Sequence, residues 1–134
     1  MSPTRRARII QAMTTLYGIP NCDTVKRARA WLDEHQVPYG FHDFKKQGVP
    51  EAELDRWLDA LGWEALVNRR GTTWRKLDDA TREAVVDTAS ARAVLLANPS
   101  LIKRPVVHWQ QAKKKTGAAI TAGFDAGQWA VYAV

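Results

Sequence analysis

The chain has 134 residues and a formal charge of +6, with 46% hydrophobic and 25% charged residues. That size and balance suit one globular domain with a real core. No apolar run approaches the roughly 20 residues of a membrane-spanning helix, so a soluble, cytoplasmic protein is expected. A single cysteine excludes an internal disulfide framework. One Cys with three scattered histidines, His35, His42 and His108, offers no paired ligand spacing, so no metal is expected.

Residues 1–12, with Arg5, Arg6 and Arg8, read as a basic N-terminal extension with no regular pattern and no apolar signal stretch. The ordered domain is expected over 13–134. TTLYGI (14–19) is β-branched and aromatic and stops at Pro20, which predicts a strand. Val25, Ala28, Trp31 and Leu32 then recur at helical spacing, with Lys26, Arg27 and Arg29 between them. Asn21 is a good N-cap residue and Asp23 suits a first turn, so this helix is expected to begin at Cys22 or within a residue of it. YGFHDF (39–44) reads as a second strand. GVPEAELDRWLDALG reads as a helix, with Pro50 in its first turn and an apolar stripe of Leu54, Trp57, Leu58 and Leu61.

VNRRGTTWRKLDD (67–79) is polar and turn-rich around Gly71, and predicts a loop. Residues 78–99 look helical, with a break near Asp87-Thr88 and Pro99 closing the run. RPVVHW (104–109) predicts a strand, residues 110–119 a basic loop or hairpin turn, 118–124 a returning strand, and DAGQWAVYAV a short terminal helix. Lys113, Lys114 and Lys115 read as a solvated turn. No nucleic-acid-binding motif accompanies the positive charge, so nucleic acid is not the expected partner.

Cys22 sits where the first strand feeds the first helix. The thiolate is the nucleophile, and a free thiol with pKa near 8.5 holds little of it at neutral pH. A helix N-terminus, Lys26 and Arg27 all favour the anion, while Asp23 opposes it, so a lowered thiol pKa is expected. A buried cysteine acting as a small apolar residue is the alternative. Two further segments stand out. LIKRPVV (101–107) sets Arg104 before Pro105, at a strand entry where proline tolerates a cis bond. NRRGTTWRKL (68–77) gathers Arg69, Arg70 and Arg75 around a glycine, and guanidinium forks suit carboxylates and oxyanions. Either arginine segment could equally be solvated surface.

Together YGIPNCDTVKRARAWL, RGTTWRKLDD and LIKRPVV, in this order and spacing, resemble the arsenate reductase-like (ArsC) family, above all its YffB branch, related to the regulator Spx. The likeness runs over about residues 13–126. It implies an α/β, thioredoxin-like fold, with a mixed four-stranded sheet and an inserted helical region at about 50–100. It implies that Cys22 is the redox-active thiol, and that Arg104 stands beside it before a cis Pro105. Arg70, or its neighbour Arg69, is carried over as the loop arginine. Asn21, Thr24 and Lys26 flank the thiol as substrate- or glutathione-binding residues, with Thr24 donating toward the thiolate.

With no second cysteine, turnover requires an outside thiol. The resemblance therefore implies a glutathione-dependent thiol reductase, a monomer with glutathione or glutaredoxin as partner. The alternative is a non-catalytic, Spx-like module that docks a protein partner. Arsenate reduction is a narrower form of the first reading, and the sequence departs from it. Glutaredoxin-coupled arsenate reductases read Cys-Gly-Thr-Ser-Arg where this chain has Cys22-Asp23-Thr24-Val25-Lys26. They also carry a third arginine, and none occurs in HWQQAKKKTGAAITAGF. Val25 removes the Cys-x-x-Cys pair of many Spx proteins.

Overall fold

The structure, a computed structural model, describes residues 14–110 and 119–133. The N-terminal extension and the lysine run at 113–115 lie outside the described residues. In chain order the elements begin with β1 (Thr14–Gly18), α1 (Asp23–Glu34), β2 (Tyr39–Asp43), α2 (Phe44–Gln47), α3 (Glu51–Leu61) and α4 (Trp63–Leu66). They continue with α5 (Thr72–Lys76), α6 (Asp79–Glu83), α7 (Thr88–Ala97), a 3-10 turn (Pro99–Leu101), β3 (Val106–Trp109), β4 (Ala119–Ala122) and α8 (Ala126–Tyr132). The chain forms two compact units. One combines the residues before 44 with those after 103, and the other is Phe44–Lys103.

The first unit is built on a mixed four-stranded sheet, ordered β2-β1-β3-β4. β1 and β2 are parallel, while β1 pairs with β3, and β3 with β4, in antiparallel register. A parallel neighbour needs a crossover, and α1 supplies it. Side chains alternate across a strand, so Leu16 and Tyr17 point to opposite faces. On the Leu16 side, Val25, Ala28 and Leu32 of α1 meet Val107, Trp109 and Trp129 in one buried cluster. Their spacing of three and four residues keeps them on one helical stripe while Lys26 and Arg27 stay exposed. Trp129 stands edge-on to Trp109, with ring centroids 4.9 Å apart, and to Phe124 at 4.8 Å. The polar atoms in this layer are mostly matched. The Trp109 indole N–H donates to the Thr121 hydroxyl at 2.9 Å, and the Gln110 amide donates to the Thr14 hydroxyl at 2.9 Å.

The end of α1 is a tight left-handed cap. Gln36 has φ 55°, and the Val37 amide reaches back to the Leu32 carbonyl at 2.9 Å, which satisfies an otherwise unpaired helix-end carbonyl. Val37 then packs against the core and turns the chain into β2.

In the second unit α3 buries Leu54, Trp57 and Leu58, and α7 buries Ala91, Val94 and Leu95. The Phe44 ring lies 6.0 Å from that of Trp57. Arg92 of α7 reaches α3, donating to Asp55 at 2.7 Å and to Glu51 at 3.1 Å. Those two carboxylates, Asp55 first, raise the Arg92 pKa further. The expected break between α6 and α7 is present. Asp87 caps α7 through a capping box with Ser90, which starts a new helix after the chain has left the old one.

Several local expectations are corrected. Cys22, not Asn21, is the N-cap of α1, because Pro20 and Asn21 are spent on the turn out of β1. Pro50 is likewise the cap of α3 rather than part of its first turn. Residues 67–79 are not all loop, since α5 forms within them after Gly71. Phe44 opens α2 instead of ending β2, and Pro99 opens a 3-10 turn. Helices of one turn, such as α2 and α4, are too short to show a period in sequence. Among the described residues, no helix is long and apolar enough to cross a membrane.

Candidate functional site

The loop carrying Cys22 is set by how closely α1 sits on β1. A β-carbon on Gly18, the last residue of β1, would come within 2.9 Å of Val25 Cγ2. Only glycine leaves room there, and the contact draws the start of α1 over the strand end. Ile19 is buried, Pro20 and Asn21 are exposed, and Cys22 follows as the N-cap with φ −127° and ψ 126°. Its carbonyl accepts the Lys26 amide at 2.9 Å, closing the first turn. The thiol is free and half-buried, and lies against the edge of the α1 core cluster. It accepts no capping hydrogen bond, so its sulfur is not engaged by the helix. Cys22 touches the core and also meets solvent. Thr24 in the first turn is half-buried, and Asp23 and Lys26 are exposed.

Arg104 and Pro105 belong to the same unit. The peptide between them is cis, Arg104 is half-buried and Pro105 is buried. The Pro105 carbonyl accepts the Gly123 amide at 2.9 Å, which ties the entry of β3 to the end of β4. β3 runs antiparallel to β1, and the ladder starts at Tyr17–Val106. The entry of β3 and the exit of β1 therefore lie at the same end of the sheet. Topology thus brings Asn21, Cys22, Thr24, Lys26, Arg104 and Pro105 to one sheet end. No described residue pairs with the Arg104 guanidinium through a hydrogen bond or ion pair.

Arg69 and Arg70 belong to the second unit, in the link between α4 and α5. An antiparallel bridge, Val67–Ile102, sets this link. The Asn68 amide donates to the Leu101 carbonyl and the Lys103 amide to the Leu66 carbonyl, each at 2.8 Å. The Asn68 side chain accepts the Arg70 amide at 3.3 Å, and a β-carbon on Gly71 would meet its Nδ2 at 2.8 Å, so a larger residue there would push the Asn68 side chain aside. The Arg70 carbonyl accepts from Arg75 at 3.2 Å. The Arg69 guanidinium lies 5.9 Å from the Trp63 ring centroid, a cation–π distance. Beside this link is a cavity of about 430 Å³, lined by Arg69 and Arg70 and also by Glu64, Asn68 and Lys103. Sequence reasoning missed those last three. Only the bridge brings position 103 next to positions 66–70, and no local pattern announces it. Among the described residues, no group of three or more His, Cys, Asp or Glu side chains could hold a metal ion.

Comparison with known proteins agrees with this architecture. The solved structure of the YFFB protein superposes with a TM-score of 0.80 at 44% identity, covering 91% of this chain and all of that one. An arsenate reductase (ArsC) related protein from Brucella melitensis is 47% identical with a TM-score of 0.66, over 90% of this chain and 93% of that one. A global transcriptional regulator Spx from Streptococcus agalactiae is 31% identical over 97 residues, which is 71% of this chain and 69% of the regulator. The sequence profile of the ArsC family matches residues 17–131, from the strand before the lone cysteine into the terminal helix. With its mixed sheet and cysteine-bearing strand–helix turn, this chain belongs to the ArsC family, a thioredoxin-like α/β fold.

Proposed function

We propose that the protein is a glutathione-coupled thiol reductase in which Cys22 is the nucleophile. The observation that carries this reading is the state of the chain's one cysteine: a free, half-exposed thiol at the N-cap of α1. In a mixed disulfide of glutathione with a substrate thiol, the Cys22 thiolate attacks the glutathione sulfur. The substrate leaves as its thiolate and takes up a proton, and Cys22 is left bonded to glutathione. A second glutathione thiolate then attacks the glutathione sulfur of that adduct. Glutathione disulfide departs and the Cys22 thiolate returns. The net change is one free glutathione thiol consumed and one substrate thiol released, with the glutathione of the mixed disulfide leaving as glutathione disulfide. Because the chain has no other cysteine, the second thiol must come from glutathione or from a glutaredoxin.

Arg104, at the same sheet end as Cys22 and with no ion-pair partner among the described residues, supports this as a cation able to hold an anionic group of substrate or glutathione. Thr24, in the first turn after the thiol, is the candidate donor to the thiolate, with Asn21, Lys26 and Pro105 bordering it. Arg70 and Arg69 are proposed to hold a carboxylate or oxyanion. Arsenate is the less favoured substrate, since Asp23 directly follows the thiol and would repel a multiply charged anion.

The test is incubation with glutathione disulfide followed by mass spectrometry, and turnover of a glutathionylated substrate with glutathione. The expected result is one glutathione per chain, no adduct in Cys22→Ser, and loss of nearly all turnover in that variant. Arg104→Met should lower turnover about tenfold or more, as expected for loss of a charge-assisted contact. A chain that takes up no glutathione, or a Cys22→Ser variant as active as the parent, would overturn the reading. The similarity to Spx favours a second reading, a module that docks a protein partner. In that case partner binding survives Cys22→Ser and is lost on changing surface residues.

A further inference from the structure

β2 is an outer strand of the sheet, and among the described residues it pairs only with β1. Alternate residues of such a strand turn their N–H and C=O groups away from the sheet, where a further strand can take them up. Folded proteins often guard an edge of this kind with a bulge, a proline or a lysine in the strand. Tyr39, Gly40 and Phe41 are none of these, and they stand in regular register with Thr14, Thr15 and Leu16. A β-carbon on Gly40 would meet no atom within 4 Å, so the strand is open on that side.

The α1 side of the same edge carries a cation held in place. Tyr39 and Phe41 pack against the core beneath α1. Arg29 of α1 donates from Nε to the Tyr39 hydroxyl at 3.0 Å. Its guanidinium carbon stands 4.3 Å from the Phe41 ring centroid and 6.0 Å from that of Tyr39, both cation–π distances. Arg29 is half-buried, yet it forms no ion pair with any described residue, not even with Asp33 one turn along α1. Two aromatic rings thus hold the guanidinium, and its terminal nitrogens have no partner among the described residues. A fork held in this way suits a carboxylate. Lys26, three residues earlier on the same stripe, is exposed and adds a second cation, so Asp33 offsets only part of the charge. We propose that the β2 edge and Arg29 form a docking site for an extended acidic segment of a partner protein. The segment adds to the sheet beside Tyr39–Phe41, and every second side chain of it falls on the α1 side, where one carboxylate meets Arg29. Cys22 takes no part in this contact, so the proposal stands apart from the reductase reading.

The test presents the full chain to a display library of linear eight-residue peptides. The enriched peptides are then made free of cysteine and titrated by fluorescence anisotropy and amide-shift NMR. The expected result is enrichment of β-branched sequences with an acid at a fixed position, and shifts centred on the Tyr39, Gly40 and Phe41 amides. Changing that acid to its amide in the peptide should weaken binding about tenfold or more, and Arg29→Met should do the same. The two changes together should cost no more than either alone, because they remove the same contact. Tyr39→Phe, which keeps the ring and loses the hydroxyl that holds the fork, should weaken binding less than Arg29→Met. Lys76→Met, an equal loss of charge elsewhere on the surface, should leave binding unchanged. Circular dichroism of each variant checks that the fold is kept, and the peptide's own acid-to-amide change needs no variant at all. Enrichment of no peptide, additive effects of the two changes, or shifts that miss Tyr39–Phe41 would each overturn the proposal. So would self-association of the chain through these same amides as its concentration rises, which would make a second copy the occupant.

Discussion

Two aspartates do comparable work at helix starts and show how far one side chain reaches. Asp78 accepts the Thr81 amide at 2.7 Å, and Asp87 accepts the Ser90 amide at 2.9 Å. Bonds from Thr81 and from Ser90 hold the two carboxyls below the usual carboxylate range. A depressed folded-state pKa means that the contribution is present above the unfolded value, near 3.9, and is lost as pH falls through the lower folded value. Asp87→Ala should therefore lower the melting temperature by a few degrees at neutral pH. The gap between variant and parent should stay level from about pH 5 to 8 and shrink below about pH 4. An unchanged gap at pH 3 would mean that the cap does not depend on ionisation. Cys22 occupies the equivalent position on α1 without any capping bond. A cysteine is a poor cap, so helix stability does not explain its place there.

At the scale of elements, the site depends on the approach of α1 to β1. Gly18→Ala would set a methyl group 2.9 Å from Val25 Cγ2, and Val25 is buried and cannot swing away. The expected cost is about 1–3 kcal/mol, read from the midpoint of chemical denaturation. Because α1 carries Cys22, glutathione uptake by this variant should slow as well. A neutral result would show that α1 can shift without cost. α1 and α3 were legible in the sequence because each repeats its apolar residues over three turns, and the strands because each is a short run with β-branched or aromatic residues. α2, α4 and α5 were not, since four or five residues complete barely one turn and show no period. Asn21 was misjudged as the cap for a related reason: propensity names good caps, but the length of the preceding turn decides which residue becomes one.

Across the whole molecule, the first unit is assembled from the two ends of the chain. Trp129, in the last helix, is fully buried against Trp109 and Leu16, and its indole nitrogen has no hydrogen-bond partner among the described residues. Trp129→Ala should cost about 3–5 kcal/mol, a large part of the 5–15 kcal/mol that typically holds a domain together. The check is the denaturation midpoint, followed by circular dichroism. A loss below about 1 kcal/mol would show that α8 is dispensable to the core.

The residues themselves determined the family, the four strands and the longer helices, because these are written in local spacing and in short motifs. Tertiary structure alone decided the rest. Strand order set β3 beside β1, and so brought Arg104 to the sheet end where Cys22 sits. One backbone bridge drew Lys103 to the Arg69–Arg70 loop and opened a charged cavity. Contacts between residues some 35 or 80 positions apart leave no period or motif in the chain, because the hydrogen bonds that make them are backbone bonds, which any sequence can form.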